Sequence, residues 1–394
     1  MVTGRDRPGV TSALFETLAS YDVRVVDVEQ VVIRGQLILG VLVTGADASA
    51  SLLVEELDVA LRPLGMDVAI DASAGHDDAR RSGRSHVTVL AHPLTPAAMA
   101  GIAGCITGCN ANIDRIVRIA HYPVTAIELE VSGADPALLR SELALAAARL
   151  AVDVAVERSG LHRRAKRLVV LDVDSTLIQD EVIELLAAQA GCADEVARVT
   201  EAAMRGELEF AAALQHRVSL LAGVPASALD VVRSQLRLAP GARTFVRTLK
   251  RLDYRLAIVS GGFTQVTDAL VSDLGIDYSA ANTLEIVDGH LTGRLVGPIV
   301  DRGGKAEALE RFAAQAGVPV AQTVAIGDGA NDLDMLTRAG LGIAFNAKPV
   351  VREAADATIN VPYLDAILFL LGISRREIEA ADAEEGISVT TPAT

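Results

Sequence analysis

The sequence is short of positive charge. Its 36 Lys and Arg are outnumbered by 51 Asp and Glu, which leaves a net charge of −15 over 394 residues. Nucleic acids and anionic membranes both demand clustered cations, so neither is an expected partner, although a single phosphate can still be bound locally. Cysteine is scarcer still: Cys105, Cys109 and Cys192 are an odd number in a long chain and offer no disulfide framework. Cys105 and Cys109, four apart, can share a helical face as half a metal site would. No second ligand pair follows at zinc spacing, so two small core residues are the plainer expectation. There is no run of 18 apolar residues, and MVTGRDRPG carries no apolar signal core, which predicts a soluble, cytoplasmic protein.

What is present is 51% hydrophobic and 22% charged residues, a globular balance, at a length that suggests two or three domains of about 150 residues each. Two N-terminal stretches share a pattern. GRDRPGV, TSALFETLASY, VRVVDVEQVVI and LILGVLVTG in the first correspond to VTVLAHPLTP, AAMAGIAGCITG, NIDRIVRIA and AIELEVSG in the second. Pro8 and Pro96 are 88 apart and Asp27 and Asp114 are 87 apart, the spacing of a duplication. With LLVEELDVALRPLG and DPALLRSELALAAARL as second helices, each unit predicts a βαββαβ α+β domain, at residues 1–75 and 85–160. ASAGHDDARRSGRS, residues 72–85, reads as their linker. Only Met1–Thr3 precedes the first loop, so that unit's opening strand is expected to be short or missing.

HRRAKR, residues 162–167, reads as a solvated linker. Beyond it LVVLDVD, RLAIVSGG, TVAIGDG, LGIAF and ATINV alternate with helix-period segments, which predicts right-handed βαβ crossovers and a Rossmann-like parallel sheet over residues 166–380. Residues 178–240 hold helical signals alone, an insertion expected to cap the carboxyl edge of that sheet. Residues 381–394 read as a disordered tail.

The first of these strands poses a physical problem. Four apolar residues, Leu168 to Leu171, run directly into Asp172 and Asp174, and a buried carboxylate without a partner costs several kcal/mol or loses its charge. Ser260-Gly261-Gly262 and the Asp328 and Asp332 of GDGANDLD end two other strands at the same edge. Four carboxylates converging there demand a cation, and hard oxygen ligands suit Mg2+. Lys305, with Ser260 and the glycine amides, offers positive charge and donors to an anion, the requirement of phosphoryl transfer.

These four separated motifs, DVDST, Ser260, Lys305 and GDGANDLDM, together resemble the haloacid dehalogenase superfamily of phosphohydrolases. The resemblance implies that Asp172 is the nucleophile and that Asp174 is the proton donor and acceptor. It implies a metal held by Asp172, Asp328 and the backbone carbonyl of Asp174, with Asp332 in support, and a phosphoryl group held by Ser260, Gly261 and Lys305. DVDSTLIQDEVIELLA, MRGELEFAAALQHRVSLLAG and VSGGF resemble the phosphoserine phosphatase family, which implies Glu181 for the substrate amino group, Arg217 for its carboxylate and Asn331 for its phosphate end. Met204 and Phe210 would then cover the pocket. From the residues alone, Arg217 suits a surface ion pair, Glu181 a helix start, and Met204 and Phe210 a plain core.

The N-terminal pair resembles ACT domains, which implies a homodimer and an amino-acid effector, L-serine, with Gly104 and Gly108 as candidates for ligand approach or helix packing. Pro8 is expected in a first helical turn. The alternative function is a related Mg2+-dependent phosphomonoesterase or phosphotransferase acting on another small phosphate ester.

Overall fold

A computed structural model describes residues 1–45, 50–71, 83–160, 163, 165–204 and 208–387. Most of the expected linker and part of the expected tail, residues 72–82 and 388–394, lie outside this set. The tail's first residues are ordered, because the helix Arg375–Glu384 runs into them and buried Asp382 pairs with Arg247 and Arg251 at 2.8 and 2.6 Å. The chain divides into two compact units, Met1–Arg80 and Arg81–Thr394.

In the first unit β1 (Val2–Arg5), β2 (Val23–Ile33), β3 (Gln36–Gly45) and β4 (Met66–Val68) form an antiparallel sheet in the order β2-β3-β1-β4. Helices Val10–Leu18 and Ala50–Leu61 complete a βαββαβ module. Val10, Leu14 and Leu18 recur every fourth residue, and Leu37 and Leu39 every second, so helix and strand turn their apolar stripes to one core. The opening strand exists and is short: Val2 pairs with Leu39 on one side and Val68 on the other. Gly9 caps the first helix at a left-handed φ of 95°, so Pro8 precedes the first turn and is not part of it.

The second unit carries one eleven-stranded sheet. Its strands are β5 (Ser85–Ala91), β6 (Asn112–Ala120), β7 (Thr125–Ser132), β8 (Asp153–Arg158), β9 (Leu168–Leu171), β10 (Arg255–Phe263), β11 (Tyr278–Val287), β12 (His290–Val296), β13 (Thr323–Gly327), β14 (Gly342–Phe345) and β15 (Ala357–Ile359). They run in the order β12-β11-β10-β9-β13-β14-β15-β8-β5-β7-β6. All five strands expected from the apolar runs are present and parallel, with β9 central between β10 and β13. The β11–β12 hairpin was not among the expected strands. Its signal was the dipeptide Asp288-Gly289, whose φ values of 49° and 75° make a tight primed turn.

The second βαββαβ module, β5 to β8 with helices Pro96–Gly108 and Pro136–Leu150, is built into this sheet. Ala155 of β8 pairs antiparallel with Ala357 of β15. The Asp153 carboxylate accepts from Asn360 N at 2.8 Å and Asn360 Nδ2 at 2.6 Å, and Arg140 meets Asp356 at 2.6 Å. Strand alternation gives the module two buried faces. Val87, Val89, Leu129, Val131, Val154 and Val156 pack among the module's own apolar core, while Leu90, Ala126 and Ala155 join Val169, Leu171 and Phe369 in the core beyond it. Cys105 and Cys109 are free, half-buried and packed against the module core, as small core residues would be.

HRRAKR is only partly a solvated linker: among its described residues Arg167 is exposed, but Arg163 and Lys166 are not. Lys166 is 5% exposed and donates to Ala321 O at 3.1 Å, and the Arg163 side chain is 8% exposed between Glu128 and Glu157. Carboxylates and a carbonyl inside the unit give these cations partners that a charge count could not reveal.

Helices Val182–Ala190, Ala193–Met204, Phe210–Ser219 and Ala228–Gln235 form the expected insertion. Its two connections are stitched together. Gln179 N donates to Arg237 O at 2.9 Å, Ala239 N to Leu177 O at 2.9 Å, and Arg237 pairs with Asp180 at 2.6 Å. Among the described residues no helix is long and apolar enough to cross a membrane.

Candidate active site

β9, β10 and β13 lie side by side, and the polar groups sit at one edge: Asp172 directly after β9, Ser260 near the end of β10 and Asp328 directly after β13. Lys305, one turn into the helix Arg302–Ala316, is 0% exposed, and its Nζ lies 2.7 Å from Asp172 Oδ1 and 2.7 Å from Asp332 Oδ1. Asp172 Oδ1 also accepts from Val173 N at 2.8 Å, and Asp332 Oδ2 from Gly329 N at 3.0 Å. Only glycine fits at the end of β13, because a Cβ on Gly327 would stand 2.4 Å from Asp332 Cγ. Carboxylate oxygens of Asp172, Asp328 and Asp332 lie within 4.8 Å of one another. Buried Thr176, to which the sequence had assigned no role, donates to Asp328 Oδ1 at 3.5 Å.

Between Val173 and Leu177 the chain makes one wide turn, closed by Ile178 N donating to Val173 O at 3.0 Å, with Ser175 at a left-handed φ of 57°. This turn gives Asp174 partners of its own: Oδ1 accepts from Val182 N at 2.8 Å and Oδ2 from Ser260 Oγ at 3.1 Å. Three side-chain carboxylates therefore converge, not four. Asp174 stands beside them and engages the Ser260 loop, where Gly262 N donates to Ser260 Oγ at 2.8 Å.

The electrostatics follow from crowding acids out of water. Burial and the neighbouring Asp332 raise Asp172 well above the usual carboxylate range, against the pull of Lys305. Burial and Asp332 raise Asp328 to about 6. Burial also raises Asp174, although the Val182 amide and Ser260 favour its charged form. For Lys305 burial works downward, but the ion pairs with Asp172 and Asp332 outweigh it and hold the ammonium charged. Three hard oxygen donors, two of them bonded to one ammonium, form a donor set that fits a divalent cation.

The insertion brings three of its expected residues to the same edge. Glu181 receives Ser175 Oγ at 2.8 Å and keeps access to solvent; the protein crowded around its carboxyl group and the adjacent Asp174 raise it to about 7. Arg217 is half-buried, with Nη1 3.4 Å from Thr200 Oγ1, and burial lowers its pKa while Glu181 and Asp174 oppose that fall. The Phe210 ring covers the Ser260 loop, since a Cβ on Gly261 would stand 3.2 Å from Phe210 Cζ. Asn331 Oδ1 folds over Gly329, 2.2 Å from where a Cβ would be. The Met204 side chain lies outside the described residues. Gly104 and Gly108 are apart from this edge, on the helix Pro96–Gly108, and a Cβ on either would meet nothing within 4 Å, so helix packing does not require them. Gly108 lines a groove of about 470 Å³ with Cys105, Cys109, Glu142 and Arg149.

A strand-edge carboxylate cluster under a helical insertion defines a haloacid dehalogenase-type hydrolase, and residues 169–337 match the haloacid dehalogenase-like hydrolase family. Residues 1–71 and 84–157 each match an ACT domain. The chain is 62% identical to a phosphoserine phosphatase of Streptomyces coelicolor, over 97% of this chain and 93% of that protein. It is 56% identical to one of Mycobacterium tuberculosis, over 97% and 94%. A solved phospho-aspartyl intermediate analogue of phosphoserine phosphatase superposes with a TM-score of 0.50 at 41% identity, covering 52% of this chain and 98% of its own. The chain belongs to the phosphoserine phosphatases of the haloacid dehalogenase superfamily, with N-terminal tandem ACT domains.

Proposed function

We propose that this enzyme hydrolyses O-phosphoserine to serine and phosphate through an aspartyl phosphate on Asp172, the last step of serine synthesis. The observation that carries the reading is the set of charges at one edge. A buried Lys305 holds Asp172 in place, and the insertion adds a carboxylate, Glu181, and a guanidinium, Arg217, complementary to the two ends of an amino acid. Asp172 attacks phosphorus, the bond to the serine oxygen breaks, and Asp174 delivers its proton to that oxygen. Burial keeps Asp174 readier to carry a proton than a surface aspartate. Asp174 then takes a proton from the water that attacks the aspartyl phosphate, releasing phosphate and restoring Asp172.

Ser260, the Gly261 amide, Lys305 and Asn331 hold the phosphoryl oxygens, and Phe210 covers the Ser260 loop against bulk water. Asp172, Asp328 and the Asp174 carbonyl, with Asp332 in support, would hold Mg2+, which would supply positive charge against those oxygens.

L-serine as an effector of the ACT domains near Gly104 and Gly108, and a homodimer through those domains, belong to the same reading. Phosphate release from O-phosphoserine, compared with phosphoethanolamine and phospholactate, tests the substrate. A strong preference for the compound bearing both amino and carboxylate groups is expected, and equal turnover of all three refutes it. Serine titration of activity and of solution mass tests the regulatory part.

A further inference from the structure

The ladder between β10 and β11 breaks where the Ser260 loop begins. Val259 pairs with Ala280 and Phe263 with Asn282, so three residues, Ser260-Gly261-Gly262, bulge opposite one. Asn282 fills the break. It is 1% exposed, its Nδ2 donates to Gly261 O at 2.9 Å, and its Oδ1 accepts from Val300 N at 2.8 Å. Gly261 is the centre of the loop whose serine contacts Asp174. Val300 precedes Asp301, which caps the Lys305 helix through Gly304 N at 2.8 Å and accepts Lys305 N on its carbonyl at 2.9 Å.

We propose that Asn282 is a positioning residue that sets the distance between the Ser260 loop and the Lys305 helix, and so shapes the seat of the phosphoryl group. The inference rests on the reading of this edge as a phosphohydrolase site. One side-chain amide offers a donor and an acceptor at fixed separation, which neither a carboxylate nor an apolar side chain supplies. Asn282→Asp keeps the acceptor for Val300 N but loses the donor to Gly261 O; Asn282→Ala loses both. A displacement of a phosphate-binding loop by a fraction of an ångström affects an oriented reaction strongly.

The test measures kcat, KM and competitive inhibition by inorganic phosphate for the full-length chain and both variants, well below the unfolding midpoint of each. Expected are a fall in kcat/KM of about tenfold or more and a rise in the phosphate inhibition constant of about tenfold in both variants. Folded variants with kcat/KM and phosphate inhibition within twofold of wild type overturn the proposal. So does unfolding of both at the assay temperature, which makes Asn282 a stability residue. Absence of turnover by the wild-type chain on any small phosphate monoester refutes the phosphohydrolase reading itself, a separate result.

Discussion

Among the described residues of the second unit, two clusters could each offer three ligand atoms to a cation: Asp172, Asp328 and Asp332 at the strand edge, and His86, Glu128 and Glu130 on β5 and β7. The second cluster has its own cations. Arg163 bonds Glu128 and, at 3.0 Å, Glu157; His86 lies 3.2 Å from Glu128, and Arg115 lies 3.6 Å from Glu130. Burial pushes Glu128 upward, but His86 and Arg163 win and hold it below the usual carboxylate range. At the strand edge Lys305, helped at longer range by Lys348, faces more acids than it neutralises, and both Asp172 and Asp328 are raised. Burial raises Glu157, the other partner of Arg163, so pairing and not the sign of a shift separates the two clusters. The brace, which ties the chain after β8 back onto the sheet, sets Arg163 and His86 against Glu128 and Arg115 against Glu130. At the strand edge Asp172 and Asp332 share one ammonium in a donor set that fits a divalent cation.

Substitution separates the clusters most sharply. Asp172→Asn should lower phosphate release from O-phosphoserine by at least about 10^4-fold, whereas Glu128→Gln should leave kcat within about twofold. Comparable losses in both would erase the distinction. Chelation comes next: EDTA should abolish turnover, and added Mg2+ should restore it and raise the melting temperature of the wild type and Glu130→Gln but not of Asp328→Asn. A magnesium response that survives in Asp328→Asn and vanishes in Glu130→Gln would reverse the assignment.

The brace should show itself in stability. Arg163→Met should cost about 2 kcal/mol near neutral pH by denaturant titration, because it leaves half-buried Glu128 and Glu157 without their guanidinium. Glu128 is depressed in the folded state, so its stabilising contribution is present above the ordinary carboxylate range and lost as pH falls through its lowered value. The Arg163→Met deficit should therefore narrow in acid. The smallest expected effect concerns Glu181. Raised to about 7, it loses its charge below that pH, so kcat/KM should fall by about tenfold from pH 8 to pH 6. Comparison with Glu181→Gln removes the substrate's own ionisation, and a limb of equal steepness in that variant would exclude Glu181 as its source.

The residues at strand ends were readable because their chemistry is anomalous locally. Acids directly after LVVL, and a GDGAND turn after TVAI, cannot be ordinary core, and all of them meet at one edge. Glu181 and Arg217 were ambiguous on a helix-period pattern, and only the placement of the insertion turns both toward Asp174. Arg163 and Lys166 were misread because burial is set by partners distant in sequence: Glu128 and Ala321 are 35 and 155 residues away. Asn282 gave no signal, since a polar residue in a strand becomes informative only when the neighbouring ladder is seen to break.

By itself the sequence determined the two βαββαβ modules, the parallel strands and the acids that end them, because hydrophobic period and strand-end chemistry act over a few residues. Tertiary structure alone decided that the second module extends the catalytic sheet, that Asp174 bonds Ser260 and Val182 while three other carboxylates gather, and which acidic cluster is neutralised. Those outcomes depend on which charges and backbone groups meet across long stretches of chain, and the cost of burying them unpaired is known only once the partners are in place.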